Sequence, residues 1–167
     1  MLIRTNENAH PEKYILRLLE SKDKNINVAK VDRIYYPYAI MVYRIRMKNP
    51  DSLMNRRIMC VMDMAAGRGA IGDEDPSLVE KEVDDILVVD ATLSEDELRQ
   101  KGHDFVFRTV MGKIRVLYVP AIDLESVEYF HKLYYVIHCK DSDDKDYFLL
   151  ADSVDAAFTE LESPSQG

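Results

Sequence analysis

Hydrophobic positions recur at two spacings along this chain. In residues 11–20, Tyr14, Ile15, Leu18 and Leu19 repeat at helical spacing, and Pro11 suits a first turn, where its missing N–H is not needed. A short amphipathic helix is expected there. Residues 26–48 are rich in β-formers. The last part alternates, with Met41, Tyr43, Ile45 and Met47 on one side and Arg44, Arg46 and Lys48 on the other, which predicts a half-buried strand. Asn49, Pro50, Asp51 and Ser52 then form a loop before the apolar run 58–64, so the pair reads as an antiparallel hairpin that ends at Gly67, Arg68 and Gly69. Asp75, Pro76 and Ser77 predict a short helix running through Val83.

The second half repeats this order. An apolar stretch at residues 86–90 is followed by Ser94 and Glu97 at capping-box spacing, where a side chain at each end satisfies a free amide of the other. The helix they start reaches about Lys113, with Leu98, Phe105, Val106, Val110, Met111 and Ile114 on a broad apolar face that Gly102 weakens slightly. β-type runs follow at 116–119, 127–139 and 147–154. The last two are joined by the turn-rich Asp141, Ser142, Asp143 and Asp144, and the tail 162–167 is expected to fray.

Residues 31–43 align without gaps on residues 125–137, placing Tyr35 on Tyr129, Tyr36 on Phe130 and Val42 on Val136. An aspartate also follows the second apolar run of each half, at Asp63 and Asp152. An internal repeat has priority over any motif, because two incomplete hydrophobic faces can complete each other. The expected fold is therefore α+β: two helix-plus-antiparallel-sheet modules arising by internal duplication. Residues 1–72 form the first module, 73–85 an acidic linker, 86–161 the second module and 162–167 a flexible tail.

The pattern carried by Tyr35, Tyr36, Pro37, Tyr38, Met62, Asp63 and Gly67, and in the second half by Tyr129, Phe130, Asp152 and Asp155, resembles small repeated PepSY-like and cystatin-like modules. The second half lacks the glycine. The resemblance implies a helix packed on a curved antiparallel sheet and a noncatalytic binding or regulatory role. It names no partner.

Composition narrows the classes. A chain of 167 residues that is 47% hydrophobic can build a real core, and no run approaches the ~20 apolar residues of a membrane-spanning helix. The first residues lack the pattern of a signal peptide, so a cytoplasmic protein without membrane insertion is expected. A net charge of -8 disfavours polyanionic partners in general. Residues 73–97 nevertheless carry eleven acids against one base, and residues 30–57 seven bases against two acids, so the two regions have reason to attract.

Several motifs suggest chemistry. Gly67, Gly69 and Gly72 match a dinucleotide-binding spacing, but Asp73, Glu74 and Asp75 would repel a pyrophosphate and Pro76 delays any helix. His131, His138, Cys139 and Cys60 are the metal-ligand types, yet nothing supplies a closely spaced set of four. The aspartates between 141 and 146 lack the glycine and late glutamate of a calcium loop. Buried reduced thiols are expected at Cys60 and Cys139, which makes them poor nucleophiles.

No catalytic, cofactor or metal residue is assigned on this reading. Function is expected to rest on binding another protein, or on self-association, through a surface drawn from Tyr35, Tyr36, Tyr38, Tyr43, Arg44, Arg46, Tyr129, Tyr134 and Tyr135, by strand addition at open edges. Two alternatives stand beside it. One is a small-molecule or enzyme pocket between sheet and helix, lined by tyrosines with Asp63 or Asp152 as acid or base. The other is a single-stranded nucleic-acid site in which tyrosines stack on bases beside the basic row.

Overall fold

The computed structural model describes residues 1–46, 56–113 and 119–162. Eight strands and two α-helices occur among them: β1 (Leu2–Asn6), α1 (Glu12–Lys22), β2 (Asn27–Arg46), β3 (Arg56–Asp63), β4 (Gly69–Gly72), β5 (Leu78–Glu82), α2 (Glu95–Lys113), β6 (Ala121–Lys140), β7 (Asp146–Asp152) and β8 (Phe158–Leu161). Six of the strands hydrogen-bond in the order β4-β3-β2-β6-β7-β8, while β1 and β5 form a separate antiparallel ribbon.

This corrects the expected fold class. Among the described residues strand predominates, with two α-helices and one six-stranded antiparallel sheet, and not two helix-plus-sheet modules. The reason lies in strand length. β2 and β6 each run for 20 residues, well beyond the usual ~3–10, so each strand contributes to both of the compact units into which the chain divides.

The first unit comprises Met1–Tyr36, Ser77–Val89 and His131–Gly167. Ile15 and Leu19 of α1 pack there with Leu133, Tyr135, Ile137 and Cys139 of β6 and Ala151 of β7, and Ile3 and Tyr35 close the same core. The second unit comprises Pro37–Pro76 and Asp90–Phe130. In its core, Leu98, Val106 and Val110 of α2 meet Ala39, Met41 and Tyr43 of β2 and Cys60 and Met62 of β3. Each helix thus packs on strands from the other half of the sequence.

Local signals held better than global ones. Ser94 Oγ accepts from the Glu97 amide at 3.2 Å, so α2 starts where the capping spacing places it. The helix expected between Asp75 and Val83 is instead strand β5, paired from Leu2↔Glu82 to Asn6↔Leu78. A partner strand 72 to 80 residues away outweighs the local signal of Pro76 and the acids. Residues 86–90 hold the end of a 3-10 turn, Asp85–Leu87, and a parallel bridge between Tyr35 and Val88. The loop expected at 49–52, most of the run at 116–119 and the last five residues of the tail lie outside the described residues.

The turn after β3 and the turn after β7 share one construction. Asp63 Oδ1 accepts from the amides of Ala65 and Ala66, and the Gly67 amide donates to the Asp63 carbonyl. Asp152 Oδ1 accepts from Val154 and Asp155, and the Ala156 amide donates to the Asp152 carbonyl. Gly67 has φ 74° and Ala156 has φ 59°, so the position that glycine fills in the first turn carries a left-handed alanine in the second.

Candidate functional site

In the first unit, strand β1 of the β1–β5 ribbon carries two polar side chains buried without partners. Ile3, Thr5 and Asn6 are the buried positions of β1. Thr5 retains 5% of its surface and Asn6 9%, and neither Thr5 Oγ1 nor Asn6 Oδ1 has a hydrogen-bond partner. Among the described residues the only other such atom is Ser153 Oγ, also in the first unit. Leaving a buried polar atom unmade costs about 1–3 kcal/mol, so two of them side by side on one strand need an explanation.

Both line a cleft of about 360 Å³. Tyr35 and Tyr135 stand on its wall, as do Leu133 and Val79. Tyr135 donates its hydroxyl to the His10 carbonyl at 2.8 Å, and burial pushes its phenol above the ordinary value. The entry to α1 is held in place by the His10 amide, which donates to the Ser153 carbonyl at 2.6 Å, and by the His10 ring, stacked 4.3 Å from Tyr14.

Four charged side chains complete the lining. Glu12 and Arg33 sit 3.7 Å apart, a loose pair, and Glu7 accepts from the Ser77 hydroxyl at 2.7 Å. Lys81 Nζ lies 5.9 Å from the Tyr35 ring centroid, with no carboxylate within 4 Å among the described residues. The lining therefore holds two negative and two positive groups, and Glu12 and Arg33 face each other.

The structure distributes the sequence-derived residues among different settings. Tyr35 and Tyr135 come together at this cleft. In the same unit Tyr36 and Tyr134 are half-buried and meet edge to face at 6.2 Å. In the second unit Tyr43 is 1% exposed in the core, Tyr38 stacks on Phe130 at 5.6 Å, and Tyr129 is exposed. The basic row meets acids. Arg46 pairs with Asp123, and Arg44 and Arg57 share Glu125, with Arg44 foremost in holding the Glu125 carboxyl below its usual range.

The remaining motifs have structural explanations. Gly69–Gly72 is strand β4; a Cβ at Gly69 would come 2.8 Å from the Phe105 ring of α2 and one at Gly72 would come 2.5 Å from Met59 of β3, so both glycines serve close packing. Asp141 Oδ1 accepts from the amides of Asp143 and Lys145, which uses that carboxylate inside its own turn. Cys60 and Cys139 are fully buried, and burial raises both thiols. Among the described residues no three His, Cys, Asp or Glu side chains converge as a metal site, and no helix is long and apolar enough to cross a membrane.

The second unit also has a cleft, about 480 Å³, lined by Lys101, Asp104, Phe105 and Arg108 of α2 beside Gly67 and Gly69. No unpartnered buried atom belongs to that unit among the described residues. The first cleft is the stronger candidate. Its key residues Thr5, Asn6 and His10 escaped the sequence reading, although the alternate β-branched positions Ile3 and Thr5 mark a strand.

No protein-family model, curated protein or solved structure matches this chain. The case for the cleft rests on its own residues.

Proposed function

We propose that the protein binds a small polar molecule in the cleft of its first unit, without chemistry on it. The observation that carries this is that Thr5 and Asn6, each with a buried side-chain oxygen that lacks a partner, both line the cleft. A ligand that turns these two side chains toward the cleft, donating to Asn6 and bonding to Thr5, would satisfy both. The volume of about 360 Å³ lies near the lower end of the ~300–1,000 Å³ typical of small-molecule sites.

Native mass spectrometry of the protein taken gently from its own cells tests the idea directly. A retained small molecule, absent from a Thr5→Val preparation, is the expected result. A bare chain mass, with no small molecule from a metabolite extract protecting the protein against heat, would remove it.

A second reading, contact with another protein or a second copy, draws on the Ile86 and Leu2 side chains, which keep 84% and 60% of their surface. Such exposed apolar groups are ordinary singly and become informative when they gather. Analytical ultracentrifugation over a wide concentration range decides the self-association arm. A mass that rises with concentration and that Ile86→Asp abolishes favours it, and a constant monomer mass excludes it.

A further inference from the structure

Strand β4 ends the six-stranded sheet in the second unit, and β3 is its one strand neighbour among the described residues. The Asp63 amide donates to the Arg68 carbonyl at 2.8 Å. Bonded pairs alternate along an antiparallel ladder, so Val61 with Ala70 and Met59 with Gly72 are the next bonded pairs. The N–H and C=O groups of Gly69 and Ile71 therefore point away from β3, along an edge that carries neither charge nor proline. A Cβ at Gly69 would meet the Phe105 ring, so Gly69 and Ile71 share the face toward α2, where Ile71 keeps 39% of its surface. On that face lies the cleft of about 480 Å³ between β4 and α2, with Gly69, Met62 and Phe105 in its lining.

The two ends of β4 carry opposite charge. Arg68 precedes the strand, and Lys101 and Arg108 line the cleft beside Gly67 and Gly69, together with Asp104. Asp73, Glu74 and Asp75 follow the strand. Among the described residues, Arg68, Lys101, Arg108 and the three acids after β4 have no ion-pair partner. A twofold axis through the edge lays β4 antiparallel on its own copy and brings each basic end against an acidic end, twice over. We infer that β4 pairs with β4 of a second copy of this chain, centred on Ala70.

In that register Gly69 faces Ile71 of the second copy, and their outward amides and carbonyls make four hydrogen bonds across the edge. Each Ile71 then lies against the other copy's Gly69, where the missing side chain opens onto the cleft floor of Phe105 and Met62. Neither the ligand cleft of the first unit nor Ile86 takes part.

Sedimentation equilibrium of the full chain from micromolar to millimolar concentration reads the mass, which should rise from 19.3 kDa toward twice that value. Ile71→Lys puts a further cation into the cleft and should weaken the dimer about tenfold or more, whereas Ile86→Asp should leave it intact. Arg68→Glu alone, and Asp73→Lys with Glu74→Lys alone, each set like charges together at both ends and should weaken it by about the same factor. Mixed in equal amounts, these two variants set opposite charges together at both ends, so their heterodimer should recover the parent's affinity. Hydrogen exchange reads the register: with rising concentration the Gly69 and Ile71 amides should gain far more protection than those of Ala70 and Gly72, which β3 already holds.

A constant mass of 19.3 kDa overturns the proposal and leaves the edge to a strand from a different protein. A dimer that survives Ile71→Lys and both charge reversals overturns it too, as does a mixture no tighter than its two components. All the substituted positions are exposed, and if Ile71→Lys fails to fold the charge reversals decide alone.

Discussion

Thr5→Val exchanges a hydroxyl for a methyl group of nearly equal size at a position with 5% exposure and no hydrogen-bond partner. Both side chains are β-branched and suit a strand, so the backbone of β1 and its pairing of Thr5 with Val79 are undisturbed. What changes is the desolvated hydroxyl, whose unmade bond costs about 1–3 kcal/mol. Allowing for incomplete relaxation of the cleft wall, the variant should gain about 1 kcal/mol in unfolding free energy. That corresponds to a midpoint rise of about 2–4 °C for a chain of this size. Urea titration followed by circular dichroism measures it, and an unchanged slope shows that the same surface is exposed on unfolding. A variant less stable than the parent at unchanged slope would mean that the hydroxyl has a partner in solution, and would refute both the energetic reasoning and the claim that Thr5 awaits a ligand.

Ala156 holds φ 59°, which costs an L-residue about 1–2 kcal/mol, so Ala156→Gly should stabilise the chain by about 0.5–1 kcal/mol after the entropy that glycine adds to the unfolded state. Gly67→Ala in the matching turn should cost about 1 kcal/mol, and thermal scans showing both changes in the same direction would contradict this account. Asp152→Ala strips the Val154 and Asp155 amides of their acceptor and leaves the half-buried Lys132 unpaired, a loss of about 1–3 kcal/mol by urea titration. Asp152→Asn retains an amide acceptor and should lose less; equal losses would show that the turn bonds carry no weight. Burial pushes Cys60 up to about 11 from 9.0 and Tyr43 up to about 12 from 10.0. Below pH 9 both are protonated folded and unfolded. Between pH 9 and 11 only the unfolded chain releases the Cys60 proton, so stability falls by about 1.4 kcal/mol per pH unit, and Tyr43 extends the fall toward pH 12. Cys60→Ala should flatten the pH 9–11 slope, and a slope identical to the parent's would rule out this linkage.

The sequence carries information about this fold at two ranges with very different success. Within one turn of helix or one tight turn, the chemistry is local: Ser94 and Glu97 start α2, and Asp63 and Asp152 organise equivalent turns. β2 and β6 begin and end 94 residues apart, the same offset as the aligned stretches 31–43 and 125–137. The hairpin register differs by two residues from that offset: Tyr38 opposes Asp63 and Tyr134 opposes Asp152. An even slip preserves which side chains face the core, so periodicity could not reveal it.

Long-range partnership was not legible. Nothing in Tyr14, Ile15, Leu18 and Leu19 says which apolar strands will receive α1. The choice fell on strands more than a hundred residues away, because a 20-residue strand carries its own half into another unit. The candidate site inherits that difficulty. Tyr35 and Tyr135 were conspicuous as aromatics, but Thr5 and Asn6 acquire meaning only when β1 pairs with β5, and β5 reads locally as a helix start.

Stability and binding at the cleft are then two measurements of one quantity. A ligand that binds only the folded chain stabilises it by about 2.7 kcal/mol at a hundredfold excess over Kd. Part of that gain would come from repairing the unmade bond at Thr5, and Thr5→Val removes the defect in advance. The variant should therefore start more stable than the parent, gain less from ligand, and be overtaken as ligand concentration rises. A residue present only to complete the core gives no such crossing, because its removal shifts both curves by the same amount at every concentration. The crossing follows from the unpartnered state of Thr5 Oγ1 in the folded chain, and it distinguishes a hydroxyl held for a ligand from one that merely happens to be buried.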